Sequence, residues 1–112
     1  MSPITTHILD IALGKPAQGV RVELEVREGD GWSSAGEGVT NADGRVTDLL
    51  KEGTLQSGTY RLTFETKPYF DAKDASTFYP EVVVTFAVDA ATEHYHVPLL
   101  LSPYGYSTYR GS

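Results

Sequence analysis

Eight consecutive residues, Val20-Arg21-Val22-Glu23-Leu24-Glu25-Val26-Arg27, alternate apolar and charged side chains without a fault. Only an extended strand, with one face on a core and the other in water, separates such a set cleanly; a helix would smear it around its axis. Tyr60-Arg61-Leu62-Thr63-Phe64-Glu65 repeats the pattern, with Tyr60, Leu62 and Phe64 inward. Residues 82–88 are apolar and β-branched enough for a central strand. Further along, Tyr95, Val97, Leu99 and Leu101 form another inward row, which leaves His94, His96, Pro98 and Leu100 on the opposite face. Residues 4–10 and 32–40 read as shorter strands and residues 105–110 as a last one. Between them Gly14-Lys15-Pro16, Glu28-Gly29-Asp30-Gly31, Asn41-Ala42-Asp43-Gly44 and Ser102-Pro103-Tyr104-Gly105 supply turn chemistry. Half-buried strands must find a second apolar layer, so an all-β sandwich of about seven to eight strands is expected. Residues 67–76 lack alternation and are expected to hold one short helix before Tyr79-Pro80. Pro98 conflicts with its strand, because proline donates no ladder hydrogen bond. Either that strand has an unpaired side there or it is locally irregular.

The 112 residues, without a repeat, linker or low-complexity stretch, suggest a single domain over residues 1–112. No apolar run reaches the roughly 18–20 residues that span a bilayer, and Met1-Ser2-Pro3 leads into strand-like sequence without a leader-like segment. Cysteine is absent, so there is neither a disulfide framework nor thiolate chemistry, and a cytoplasmic location is the expectation. The formal net charge of −6 and the scattered lysines and arginines argue against nucleic-acid or anionic-membrane partners. An anionic small molecule remains open to local arginines.

Phosphate loops, His-Glu-x-x-His and nucleophile elbows are missing, which leaves three histidines, a few arginines and an unusual ending. His96 shares the outer face with Pro98 and Leu100. There it is either a general base poised near neutrality or a surface histidine satisfied by a polar neighbour. His94 lies two residues away on the same face. His7 lies on the opposite face of its strand from Thr6 and Ile8. Joining His7, His94 and His96 into a zinc site is chemically conceivable, but His-x-His in a strand is common without metal. Arg45, after the Asn41–Gly44 turn, is either an exposed arginine or an anion clamp suited by its planar fork of donors. The last residues, Ser102-Pro103-Tyr104-Gly105-Tyr106-Ser107-Thr108-Tyr109-Arg110-Gly111-Ser112, hold aromatic side chains where a frayed polar tail is normal, which suggests an interface or a pocket wall.

Tyr109-Arg110-Gly111-Ser112 resembles the signature ending of the 5-hydroxyisourate hydrolases of the transthyretin-like family. Thr6-His7-Ile8-Leu9-Asp10, followed by Gly14-Lys15-Pro16-Ala17, is similar to that family's N-terminal motif. Thr40-Asn41-Ala42-Asp43-Gly44-Arg45 is similar to its arginine motif. The block from His94-Tyr95-His96-Val97-Pro98 to the ending is the most specific, and no motif position departs.

The resemblance implies a transthyretin-like (prealbumin-like) sandwich, assembled as a homotetramer with active sites in a channel at the dimer–dimer interface. It implies catalytic roles for His7, Arg45, His96 and Ser112. Substrate binding would fall to His7, Arg45, Tyr109, Arg110, Gly111 and Ser112, with no metal and no cofactor. The implied reaction opens 5-hydroxyisourate to 2-oxo-4-hydroxy-4-carboxy-5-ureidoimidazoline in urate (purine) degradation, by attack of water on the cyclic amide. Such a hydrolysis needs a base for the water and donors for the developing oxyanion. Which histidine is the base stays open. The competing reading is ligand carriage, since the same fold serves the thyroid-hormone carrier transthyretin. In that carrier lysine, glutamate and threonine stand at the positions of His7, Arg45 and His96. A structural module of an adhesin would instead predict neighbouring domains.

Overall fold

A computed structural model describes residues 2–89 and 91–112; Met1 and Ala90, and the part of the N-terminal reading that rests on Met1, lie outside the described residues. In chain order the elements are β1 (Ile4–Asp10), β2 (Lys15–Pro16), β3 (Arg21–Glu28), β4 (Gly31–Val39), β5 (Arg45–Val46), β6 (Gly58–Glu65), α1 (Thr66–Asp71), β7 (Val82–Val88), β8 (Tyr95–Ser102) and β9 (Gly105–Thr108). One sheet runs β2-β1-β8-β9, with β5 paired to β1, and the other runs β4-β3-β6-β7. The alternating strands behave as their pattern dictates. Val20, Val22, Leu24, Tyr60, Leu62 and Phe64 from one layer meet Ile4, Ile8, Tyr95, Val97, Leu99 and Leu101 from the other, all buried. The two inner rows thus form the all-β sandwich core that their period required.

Two strand assignments need correction. β7 is not central: it pairs only with β6 and forms the edge of its sheet. Its outer row is Val83, Thr85 and Ala87, whose small and β-branched side chains suit an edge strand but mask the alternation. The last strand ends at Thr108 rather than running on through residues 109–110. Pro98 supplies the reason. β8 is paired on both sides, parallel to β1 and antiparallel to β9. The carbonyl of His96 accepts from the Gly111 N–H at 2.8 Å, and alternate residues of a strand share a side, so the N–H that Pro98 lacks would have met Tyr109. The ladder breaks there, Thr108 Oγ1 donates to the Pro98 carbonyl at 2.6 Å, and pairing resumes as a single bridge between His96 and Gly111.

The helix is shorter than residues 67–76, because Asp74 takes a left-handed φ of 53° and the Ala75 N–H closes back on the Phe70 carbonyl at 3.0 Å. Tyr69 and Phe70 are buried, and the Tyr69 hydroxyl donates to Asp10 at 2.7 Å, which ties the helix to the end of β1. Asp10 also accepts the N–H groups of Ala12 and Leu13, so this buried carboxylate is satisfied by the fold itself.

Candidate active site

Because β1 buries Ile4, Thr6 and Ile8, the intervening Thr5 and His7 face outward. The parallel register sets Thr5 opposite His96 and His7 opposite Pro98. On the other side of β1, the antiparallel β5 sets Arg45 opposite His7. That pairing depends on the preceding turn. The Asn41 side-chain oxygen accepts from the N–H groups of Asp43 and Arg45 at 2.9 and 3.0 Å. Gly44 takes φ 73° and its carbonyl accepts from the Ile8 N–H at 2.8 Å; a side chain there would collide with the Ile8 carbonyl. The turn therefore works as a bracket that delivers Arg45 to the outer face of β1.

His7, Arg45 and His96 consequently share one sheet face. Thr5, Arg45, Thr47, His94, His96 and Ser112 line a hollow of about 230 Å3 on it. Burial, then the neighbouring Arg45 guanidinium, hold the His7 imidazole below the ordinary histidine range, partly offset by the Asp43 backbone and carboxylate. His96 is lowered as well, first by burial, then by the charges of Arg45, His94 and His7, with a partial offset from a hydrogen bond to the Thr5 backbone. Both rings are thus biased toward the neutral form at neutral pH, the form that accepts a proton. Arg45 adds a fork of donors beside them.

The ending divides. Gly111 lies directly against the His96 and Pro98 rings: a Cβ built on it would stand 2.5 Å from His96 Cδ2 and 3.1 Å from Pro98 Cγ. Ser112 reaches the hollow. Tyr109 and Arg110 instead wall a second, mainly apolar groove of about 300 Å3, between the β7 edge and β8, which His96 also lines, with Val84 and Phe86 opposite. There the Arg110 guanidinium stacks 4.5 Å from the Tyr95 ring centroid and pairs with Glu93 at 3.2 Å. Three of the expected residues, Arg45, His96 and Ser112, line the hollow; His7 lies outside that lining, opposite Arg45 on the same sheet face, and Gly111 is pressed against His96. Tyr109 and Arg110 wall the adjoining groove, which shares His96 with the hollow. The groove holds fewer of the groups that could drive hydrolysis than the hollow does.

Thr5 carried no signal in the sequence, since a threonine on the outer row of a strand is ordinary. Its hydroxyl lies 2.8 Å from His96 Nδ1 and 3.1 Å from His94 Nε2. The His94 and His96 rings are near-parallel, 6.4 Å apart, and both turn a nitrogen to this hydroxyl. Among the described residues no group of three or more His, Cys, Asp or Glu side chains is arranged to hold a metal ion.

The chain resembles known proteins over nearly its whole length. Residues 4–111 match the HIUase/Transthyretin family. A 5-hydroxyisourate hydrolase from Salmonella dublin is 50% identical over 109 residues, covering 97% of this chain and 80% of that protein. The 5-hydroxyisourate hydrolase of Klebsiella pneumoniae superposes with a TM-score of 0.84 at 37% identity, over 97% of this chain and 98% of that one. Sea bream transthyretin in complex with thyroxine superposes with a TM-score of 0.92 at 33% identity, over 97% and 94%. With nearly its whole length matched in both sequence and fold, the chain belongs to the HIUase/Transthyretin family.

Proposed function

We propose that this chain hydrolyses 5-hydroxyisourate to 2-oxo-4-hydroxy-4-carboxy-5-ureidoimidazoline in urate degradation, acting as a single catalytic domain over residues 1–112. The fold does not choose between enzyme and carrier, since its likeness to transthyretin is at least as close as its likeness to the hydrolase. The observation that carries the reading is the pair of histidines held toward neutrality beside Arg45 on one outer face. A carrier has no need of two proton acceptors next to a guanidinium, whereas a hydrolase has a use for each.

Water adds to the acyl carbon of the cyclic amide as His7 or His96 takes its proton. Negative charge gathers on the carbonyl oxygen beside Arg45. Collapse of the tetrahedral adduct breaks the C–N bond, and the protonated imidazole returns the proton to the leaving nitrogen. Every step is a proton transfer, an addition at carbon or the loss of the amide nitrogen, so no cofactor or metal is invoked. Ser112 contributes a hydroxyl at the rim of the hollow, while Arg110 binds substrate oxygens and Tyr109 closes the pocket. The site is open to solvent in one chain, and the β7 and β9 edges lack partners on their outer sides, which supports assembly into a homotetramer with the sites at the dimer–dimer interface. The compartment we assign is cytoplasmic. No helix among the described residues is long and apolar enough to cross a membrane.

The test is spectroscopic: fresh 5-hydroxyisourate, generated by urate oxidase, is followed with and without the protein, before and after treatment with a strong chelator. Accelerated decay that survives chelation is the expected result. Decay at the spontaneous rate refutes the activity, and loss on chelation with recovery on added zinc refutes the metal-free mechanism.

A further inference from the structure

We infer that Thr5 is a positioning residue that sets the tautomer of His96, keeping the ring proton on Nδ1 so that Nε2 is left as the proton acceptor, with His94 holding the Thr5 hydroxyl in that orientation. The inference rests on the reading of His96 as a base, and deepens it.

A hydroxyl has one hydrogen and two lone pairs. Thr5 Oγ1 is within hydrogen-bond distance of two imidazole nitrogens, His96 Nδ1 at 2.8 Å and His94 Nε2 at 3.1 Å. It can donate to only one of them and must accept from the other. Two arrangements are possible: either His96 donates to Thr5 and Thr5 donates to His94, or the whole chain runs in reverse. The reading of His96 as the base decides between them. Nδ1 is engaged by the Thr5 hydroxyl, so Nε2 is the nitrogen left to take a proton from water. A neutral ring that accepts on Nε2 carries its own proton on Nδ1 and donates it to Thr5. The hydroxyl hydrogen is then left for His94 Nε2. Each bond polarises the next, so the run from His96 through Thr5 to His94 is stronger than its parts.

The geometry is built to last. Thr5 faces His96 in a ladder whose pairs on either side, Ile4 with Tyr95 and Thr6 with Val97, have buried side chains. The Thr6 hydroxyl also donates to the Val97 carbonyl at 2.6 Å, which locks the same two strands together one residue on. Thr5 is β-branched and so restricted at χ1. The near-parallel rings of His94 and His96, 18° apart, present their nitrogens to the hydroxyl, His94 from just before β8 and His96 from within it.

The experiment uses the full chain labelled with 15N-histidine. The tautomer of His96 is read from its ring nitrogen shifts, assigned by their disappearance in His96→Asn. Expected in the parent protein is the Nδ1–H form. Thr5→Val keeps the shape and removes the hydroxyl; it should raise the Nε2–H population by up to about tenfold, the worth of one typical hydrogen bond. Turnover should fall in proportion to the Nδ1–H fraction lost, with KM little changed, and Thr5→Ser should restore both. His94→Asn should move the tautomer in the same direction by less. An Nε2–H ring in the parent, or an unchanged tautomer in a folded Thr5→Val protein, overturns the inference. A tautomer that moves as expected while hydrolysis is unaffected upholds the assignment to Thr5 and refutes His96 as the base.

Discussion

Replacing Gly111 by alanine adds one methyl group to a position where the structure has no room for it. The new carbon would stand 2.5 Å from His96 Cδ2, 3.1 Å from Pro98 Cγ and 3.3 Å from His96 Cγ. Gly111 has no positive φ, so the demand is for empty space rather than for an unusual backbone. Ordinary contact requires the first of these distances to grow by about 1 Å. Pro98 is buried in a doubly paired strand and cannot retreat. Either the His96 ring turns or the tail lifts. The tail is tied to β8 through the Gly111 N–H on the His96 carbonyl, a bond of net worth about 0.5–1.5 kcal/mol. The stability change should therefore stay near 1 kcal/mol. Turnover should suffer far more, because a displacement of about 1 Å in a catalytic group can cost on the order of 10²-fold. Thermal unfolding followed by circular dichroism measures the first effect, and steady-state hydrolysis of 5-hydroxyisourate measures the second. A Gly111→Ala protein with undiminished turnover would refute the claim that the tail and His96 must fit together to work.

His7→Asn or His96→Asn should each lower kcat by roughly 10²–10⁴-fold, the span of general acid–base groups, and His94→Asn by much less. Both catalytic rings are held below the ordinary histidine value and are needed neutral, so kcat/KM should fall with decreasing pH only below about 6.5, the unperturbed value, in a pH–rate profile of the free enzyme. Arg45→Ala should reduce kcat as well as affinity, since it removes an interaction that strengthens as charge develops; a change confined to KM would favour carriage. Residues added after Ser112 should impair turnover more than the same residues added before Met1, with light scattering reporting an unchanged assembly in both; equal activity would separate the ending from catalysis.

Much of the fold could be read from period alone, because β3, β6 and β8 each carry one apolar and one polar row. β7 was misplaced for a chemical reason: valine, threonine and alanine occupy its outer row, and they look alike whether covered or bare. The two-residue strands β2 and β5 have no period to read. The parallel pairing of β1 with β8 is likewise invisible, since nothing local in either segment names its partner. Outward placement of His7 and His96 followed from alternation, but their nearness to Arg45 did not. That nearness comes from the Asn41 turn and from the β1–β8 register. Pro98 was noticed as a conflict, and the conflict was real: it marks where β9 lets go and Gly111 rejoins. Thr5 stayed hidden because its importance lies in what faces it across the ladder.

The parallel pairing of β1 with β8 also governs how the protein comes into being. Thr5 and His96 are neighbours in space and 91 residues apart along the chain. Loop-closure entropy must be met before such a contact returns anything, so a topology of this kind condenses slowly, on the millisecond-to-second scale typical of sandwiches rather than in microseconds. During synthesis His7 and Arg45 leave the ribosome early and wait for nearly the whole chain before His96 and Ser112 arrive. No fragment short of β8 can assemble the complete site, and β1, with its inner row of Ile4, Thr6 and Ile8, stays without its main partner strand in the meantime. Catalytic competence is therefore a late and all-or-none event in folding, and recovery of hydrolysis after dilution from denaturant reports on native pairing of β1 with β8.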